Sequence, residues 1–397
     1  MAEWQTVRLG EIVKTNQSTY SPKENWQFVN YLDTGNITMN KIDEIQYINT
    51  AKDKLPSRAR RKVKTNSIIY STVRPNQLHY GIIKEQPDNF LVSTGFTVID
   101  VNYDKAVPDF IYYALTKQEV TEQLQAIAEQ SVSAYPSLKP SDIENLEFML
   151  PDKKTQERIV AILRSIDEKI KENNAINNNL LEQVLVIYRH YFVDTTNELR
   201  QTCRADEYFD ISIGKTPPRK EPQWFSTNPK DVTWVSISDM GTCGLYISES
   251  SEQLTKEAVD RHNVKIVPDN TVLLSFKLTV GRIAITDGEM TTNEAIAHFK
   301  TNKKEIIEYL YCYLKCFNYQ TMGSTSSIAT AVNSKIIKGM PFVVPTDEEI
   351  TEFHSLAAPM FAKIKANQAE IRNLTSLRDT LLPKLMSGEL DVSDIDL

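Results

Sequence analysis

Between Ala51 and Lys84 the chain concentrates positive charge, with Lys52, Lys54, Arg58, Arg60, Arg61, Lys62, Lys64, Arg74 and Lys84 against one acid, Asp53. The full 397 residues carry a formal net charge of -7 from 45 basic and 52 acidic residues, so this window stands at +8 and everything outside it at -15. The cations are interleaved with strand-forming and aromatic runs, "SIIYSTV" and "LHYGII", and with Asn76 and Gln77. A solvated basic face is the plain account of such a run. The interleaving suits a nucleic acid better: Lys and Arg neutralise phosphate, Arg, Asn and Gln hydrogen-bond base edges, and Ser or Thr fix the backbone.

The candidate DNA contacts of the first half are therefore Lys54, Arg58, Arg60, Arg61, Lys62, Lys64, Ser71, Thr72, Arg74, Asn76 and Gln77. A weaker counterpart follows in the second half: Lys215, Thr216, Arg219 and Lys220 in "GKTPPRKEPQWF", then Ser275, Lys277 and Arg282 in "SFKLTVGR". "GSTSSIATAVNSK" adds Ser324, Ser326 and Lys335, as a plain hydroxyl-rich surface loop or a phosphate-contacting one. Overall acidity is no objection, because the local field rather than the net charge steers a polyanion.

Signatures of catalysis are missing. The sequence has no phosphate-cradling GxxxxGKS/T, no HExxH pair, no GxSxG elbow and no adenosylmethionine loop or Asn-Pro-Pro-aromatic tetrad, and only 12 glycines from which to build such loops. Its five histidines are dispersed without ligand spacing. "PDKKTQE" resembles a nuclease acid cluster superficially, but Asp152 sits where it would cap a helix. Cys312 and Cys316 are one helical turn apart and read as buried helix cysteines rather than zinc ligands, since Cys203 and Cys243 lie far off. No metal site is expected.

The elements that must position these residues repeat. "VKTNSIIYS" (Val63 to Ser71) lies on "VPDNTVLLS" (Val267 to Ser275), and "LKPSDIENLEFMLP" (Leu138 to Pro151) lies on "VNSKIIKGMPFVVP" (Val332 to Pro345), in the same order. After each copy comes a long helical pattern. In the first, residues recur every seven at Ile159, Ile166, Asn173, Leu180 and Ile187. The second opens with Thr346 and Glu349 spaced as a capping box and runs Ile350, Phe353, Ala357, Met360, Ile364, Asn367, Ile371, Leu374, Leu381, Leu385, with Pro359 expected to kink it. Each seam carries one Asn, a polar group that costs stability and fixes register. Two such stripes bury each other most simply as an antiparallel pair.

Length and a 41% hydrophobic content indicate at least two globular cores. No apolar run is long enough to span a bilayer and "MAEWQTVRLG" has no signal-like region, so a cytoplasmic protein with a reducing environment for its cysteines is expected.

Taken in order, "ARRKVKTNSIIYSTVRPN", "LVSTGF", "GKTPPRKEPQWF", "WVSISDM", "LTVGRIAI" and "TTNEAIAHF" resemble the specificity (S) subunits of type I restriction-modification systems. So do the junctions "MLPDKKTQERIVAILRSIDEKI" and "VVPTDEEITEFHSLAAPMFAKI" and the ending "LRDTLLPKLMSGEL", with Ile350 departing from the family's usual Gln, matched by Gln156. The resemblance covers nearly the whole chain. It implies an α+β protein with two target-recognition domains, 1–151 and 197–345, separated by two long antiparallel coiled-coil-like helices, 152–196 and 346–390, before a tail at 391–397. It also implies a non-catalytic subunit that binds double-stranded DNA and no cofactor. Two methyltransferase (M) subunits using S-adenosylmethionine and restriction (R) subunits using ATP and Mg2+ are the expected partners. The rival readings are a DNA-modifying enzyme, methyltransferase or nuclease, and a standalone DNA-binding scaffold or acidic DNA mimic.

Overall fold

A computed structural model describes residues 4–131, 136–195, 197–198, 200–322, 333–393 and 395. The chain is α+β and forms two compact units. One comprises Met1–Lys169 with Asn373–Leu397, and the other Ile170–Arg372.

In the first unit a four-stranded antiparallel sheet runs in the order Val13–Thr15, Phe96–Val101, Ile68–Ser71, Tyr80–Ile82. A second sheet runs Gln46–Asn49, Phe28–Leu32, Phe90–Ser93, Ala59–Lys62, with a parallel pair at its centre. Strand Ile68–Ser71 is buried on both faces, which its unbroken apolar run requires. Against this sheet, at strands Phe96–Val101 and Tyr80–Ile82, packs the wholly buried helix Pro108–Leu115. Gln5–Arg8 pairs with Glu147–Leu150 and brings the two ends of the domain together.

The second unit repeats this plan. Asp210–Ile213, Ile296–Lys300, Val272–Ser275, Ile283–Thr286 and Tyr246–Ile247 form its larger sheet, and Gln201–Arg204 pairs with Pro341–Val344. The correspondence holds to the residue. Ser71 lies opposite Phe96 as Ser275 lies opposite Ile296. The turns before both strands hold an asparagine in the left-handed region, Asn66 at φ 68 and Asn270 at φ 56, where its short side chain is tolerated. The smaller sheets differ. In the first unit the basic segment Ala59–Lys62 supplies an edge strand. In the second, among the described residues, Thr291–Thr292 is the edge and a short strand, Phe225–Ser226, is added at the far side instead.

The long helices are Lys153–Phe192 and Asp347–Ser387. Asp152 accepts the Thr155 backbone N–H at 3.0 Å, and Thr346 and Glu349 close the expected capping box at 3.2 and 2.9 Å. Gln156 is buried and donates to Pro151 O while accepting from Val107 N, both at 2.9 Å. Ile350, in the matching place, joins an apolar cluster instead, so no polar anchor is required there. The second helix passes through Pro359 as one element.

The buried stripe of the first helix runs Ile159, Leu163, Ile166, Asn173, Asn177, Val184, Tyr188. It slides off the strict heptad towards its end, where Tyr188 replaces the expected Ile187, because 3.6 residues per turn drift against a repeat of 3.5. Phe361 likewise takes the buried place expected of Met360. Within the first unit the helices meet through Arg378 and Asp167 at 3.1 Å. Within the second they meet through Asn173 Nδ2 and Glu370 at 3.1 Å and through Asn367 and Asn177 at 2.8 Å. Cys312 is buried, but Cys316, expected beside it in the core, is exposed.

Candidate nucleic-acid interface

In the first unit the basic stretch enters the sheet as an edge strand. Leu91 opposes Lys62 and Val92 opposes Arg61, but Ser93 opposes Ala59, leaving Arg60 as the extra residue of a bulge. Such a bulge re-aims the side chains around it. Ala59 is fully buried and Arg60, Arg61 and Lys62 are half-buried, so the strand is rooted by its alanine with its cations partly exposed. Ser18 to Tyr20, from far earlier in the chain, cover the strand's free edge through Lys62 N to Ser18 O at 3.1 Å and Tyr20 N to Arg60 O at 2.7 Å. Backbone pairing is used up, which leaves the side chains to make contacts.

These cations differ in their freedom. Lys62 is neutralised by Glu24 and lies 5.0 Å from the Trp26 ring centroid, and Lys64 is 3.7 Å from Asp100. Arg58 is exposed, near enough to Asp33 to help hold that carboxyl low against its burial. Arg60 Nε reaches Ser57 O at 3.4 Å. Burial depresses the Arg61 guanidinium, and its Nε is a buried donor without a partner among the described residues. Lys54, Arg74, Asn76 and Gln77 are exposed.

Two serines singled out from the sequence are not on the surface. Ser71 is buried, its Oγ donating to Val73 O at 2.9 Å, and Ser275 is buried, donating to Thr279 O at 2.6 Å and accepting from Arg282 N at 3.0 Å. Both brace turns rather than offering a hydroxyl to phosphate. Thr72 Oγ1 is likewise committed to Gly95 O at 2.9 Å. Arg282 is half-buried and donates to Ile237 O at 2.6 Å, an internal brace where a free cation was expected.

In the second unit Arg219 grips Glu252 through two hydrogen bonds of 2.9 and 2.8 Å, with its guanidinium 4.1 Å from the Phe225 ring centroid and 4.7 Å from that of Trp234. Lys215 Nζ donates to His262 O at 2.6 Å and Thr216 to the Glu294 carboxylate. Burial works to raise the Glu294 carboxyl, but Thr216, its own backbone N–H, Lys277 and Arg219 outweigh it and hold it low. Thr216, Arg219, Lys277 and Glu294 are thus one neighbourhood. Lys220, Lys277 and Lys335 are exposed, while Ser324 and Ser326 lie outside the described residues.

One residue escaped the charge-based reading. Leu278, between Lys277 and Thr279, is 100% exposed and holds φ 60. A large apolar residue between Lys277 and Thr279 was the available signal, and a search for cations passes over it.

The arrangement suits duplex DNA, with side chains on rigid sheet edges and turns in two copies whose surfaces differ. The family model described as the type I restriction modification DNA specificity domain matches residues 1–182 and 198–371. The type I restriction enzyme HindI specificity subunit of Haemophilus influenzae is 24% identical over 466 residues, spanning 98% of this chain and 100% of that protein. The MjaIX specificity subunit of Methanocaldococcus jannaschii is 26% identical over 318 residues, 74% of this chain and 71% of its own. Among solved structures, the type I restriction-modification system S subunit from M. genitalium shares the fold with a TM-score of 0.56, at 16% identity over 99% of this chain and 97% of that one.

Proposed function

Because the chain belongs to the type I restriction-modification DNA specificity family, we propose that each of its two recognition domains reads one half of a bipartite, asymmetric duplex target. In this reading the chemistry is done by others in the cytoplasm. Two methyltransferase subunits using S-adenosylmethionine dock on the chain and modify adenine, and restriction subunits using ATP and Mg2+ join them, while the chain itself takes no cofactor. Lys54, Arg58, Arg60, Arg61, Lys62 and Lys64 serve the phosphates of the first half-site, with Arg74, Asn76 and Gln77 at base edges. Lys215, Arg219, Lys220, Lys277 and Lys335 serve the second.

The observation that carries this reading is the repeat itself. Two domains share strand registers yet differ in the residues they offer: a basic bulged edge in one, and an arginine against two aromatic rings in the other. A symmetric reader would have no use for that divergence.

Exchanging Trp4 to Pro151 for the matching segment of a relative, in the complex with the methyltransferase, tests it. Mapping methylated adenines should show one half of the target changed and the other retained. Change in both halves of a folded hybrid would refute independent reading. A hybrid and parent that both methylate without sequence preference would refute the specificity role.

A further inference from the structure

We infer that Leu278 is the side chain with which the second domain reads a thymine methyl group, from the position where the first domain presents Arg74. This rests on the DNA-reading role proposed above. The two residues are equivalent by register. Ser71 and Ser275 occupy matching places, and the next residues tie to the facing strand alike, Thr72 N to Gly95 O at 2.8 Å and Phe276 N to Ala295 O at 2.9 Å. Three residues beyond each serine the backbone turns left-handed, at Arg74 with φ 49 and Leu278 with φ 60.

Nothing in the fold asks for leucine there. A bulky non-glycine residue at positive φ is strained, and among the described residues asparagine takes most such places, as at Asn66 and Asn270, with Met39, Arg74 and Leu78 the other exceptions. Packing offers no reason either, since the side chain is 100% exposed. The turn that carries it is stiff. Ser275 Oγ spans from Thr279 O to Arg282 N, Gly281 N donates to Ser275 O at 3.0 Å, and Gly281 at φ 90 permits the closure. Strain held by a rigid support is a signature of a site that acts on something else. Lys277, exposed beside Leu278, brings a cation to the same turn.

The code of the major groove then narrows the ligand. The thymine C5-methyl is the only apolar group that a base pair displays there, and it is met by apolar side chains, whereas arginine at the equivalent place matches guanine O6 and N7. One apex position with two residues therefore reads two different bases.

The test uses the full chain in complex with its methyltransferase, wild type and variants, to enrich duplexes randomised across the second half-site. Each thymine of the enriched site is then replaced by uracil, which removes only the methyl. Wild type should lose about fourfold in affinity at one thymine, the worth of one buried methyl-sized group. Leu278→Gly should be indifferent to that replacement while unfolding at the same or a higher temperature. Leu278→Arg should shift the requirement at that position to guanine. Identical enriched sites for wild type and both variants would overturn the inference while leaving the DNA-reading role intact. A leucine effect insensitive to uracil, as for a wedge between base steps, would also overturn it, as would a lowered melting temperature for Leu278→Gly. A wild type that enriches no sequence would refute the DNA-reading role, and this inference with it.

Discussion

Asn367 Nδ2 donates to Asn177 Oδ1 at 2.8 Å, and both amides are buried between the two long helices of the second unit. Asn367 Oδ1 has no partner of its own among the described residues, so the pair is incompletely satisfied. Such a contact is matched in only one register, which an all-leucine seam would not enforce.

Asn367→Leu alone should therefore destabilise the second unit by about 1–3 kcal/mol, because it strands the Asn177 amide in an apolar seam. Adding Asn177→Leu should recover that loss or more. Urea unfolding of the single and double variants measures both, and a costless single substitution would show that the pair does not set the register.

Replacing Arg58, Arg60 and Arg61 together with Ala should flatten the salt dependence of DNA binding. Each lost phosphate contact removes about 0.9 from the slope of log K against log salt. Titrations from low to moderate salt, on target and unrelated duplexes, separate this uniform loss from a change in base preference. An unchanged slope would exclude these arginines from the phosphate contacts.

His298 is buried between Ser212 Oγ at 3.0 Å and Thr292 Oγ1 at 2.7 Å. Burial, helped by the nearby Lys300 charge, pushes its imidazole down to about 3. An unfolded histidine protonates near 6.5, so between these values the unfolded chain binds the extra proton. The contribution of His298 is then complete above about pH 6.5 and falls as the pH is lowered towards 3, by at most ~1.4 kcal/mol per unit. His298→Gln should be less sensitive to acid over that range, as followed by melting temperature against pH.

Glu349 also loses its contribution in acid, but because its charged form is the one the fold favours. Burial works against its charge, but hydrogen bonds from Arg200, Asn197 and the Thr346 backbone prevail and hold the carboxyl down to about 2. Its contribution is present above the ordinary glutamate range and is lost as the pH falls towards 2. Arg200→Ala should cost about 3 kcal/mol at neutral pH by leaving this largely buried carboxylate without its partner. The cost should shrink in acid, and a deficit independent of pH would exclude the ion pair as its source.

Repetition, seams and caps were legible in the sequence because each is a local pattern with a fixed period. Val63–Ser71 against Val267–Ser275, Asn173, and the Thr346–Glu349 box all fall where spacing places them. Hydroxyl groups were not legible in this way. Ser71 and Ser275 read as phosphate contacts beside basic residues, yet each closes a turn, and that distinction depends on where the strand ends and what the next carbonyl needs. Arg282 shows the same limit, since its carbonyl partner Ile237 is far away in sequence. Charge counting located the Ala59–Lys62 cations but could not foresee the bulge that sets Arg60 apart.

The second unit is one uninterrupted stretch, Ile170–Arg372, whereas the first is completed by Asn373–Leu397. Leu385, Met386 and Val392 from that late segment are buried in the first unit's core, and Arg378 meets Asp167 there. On the ribosome the order of completion is thus the reverse of the order of translation: the second unit has all its residues while the first still awaits its closing helix. A chain released early, after Arg372, would carry a finished second unit and an open core in the first.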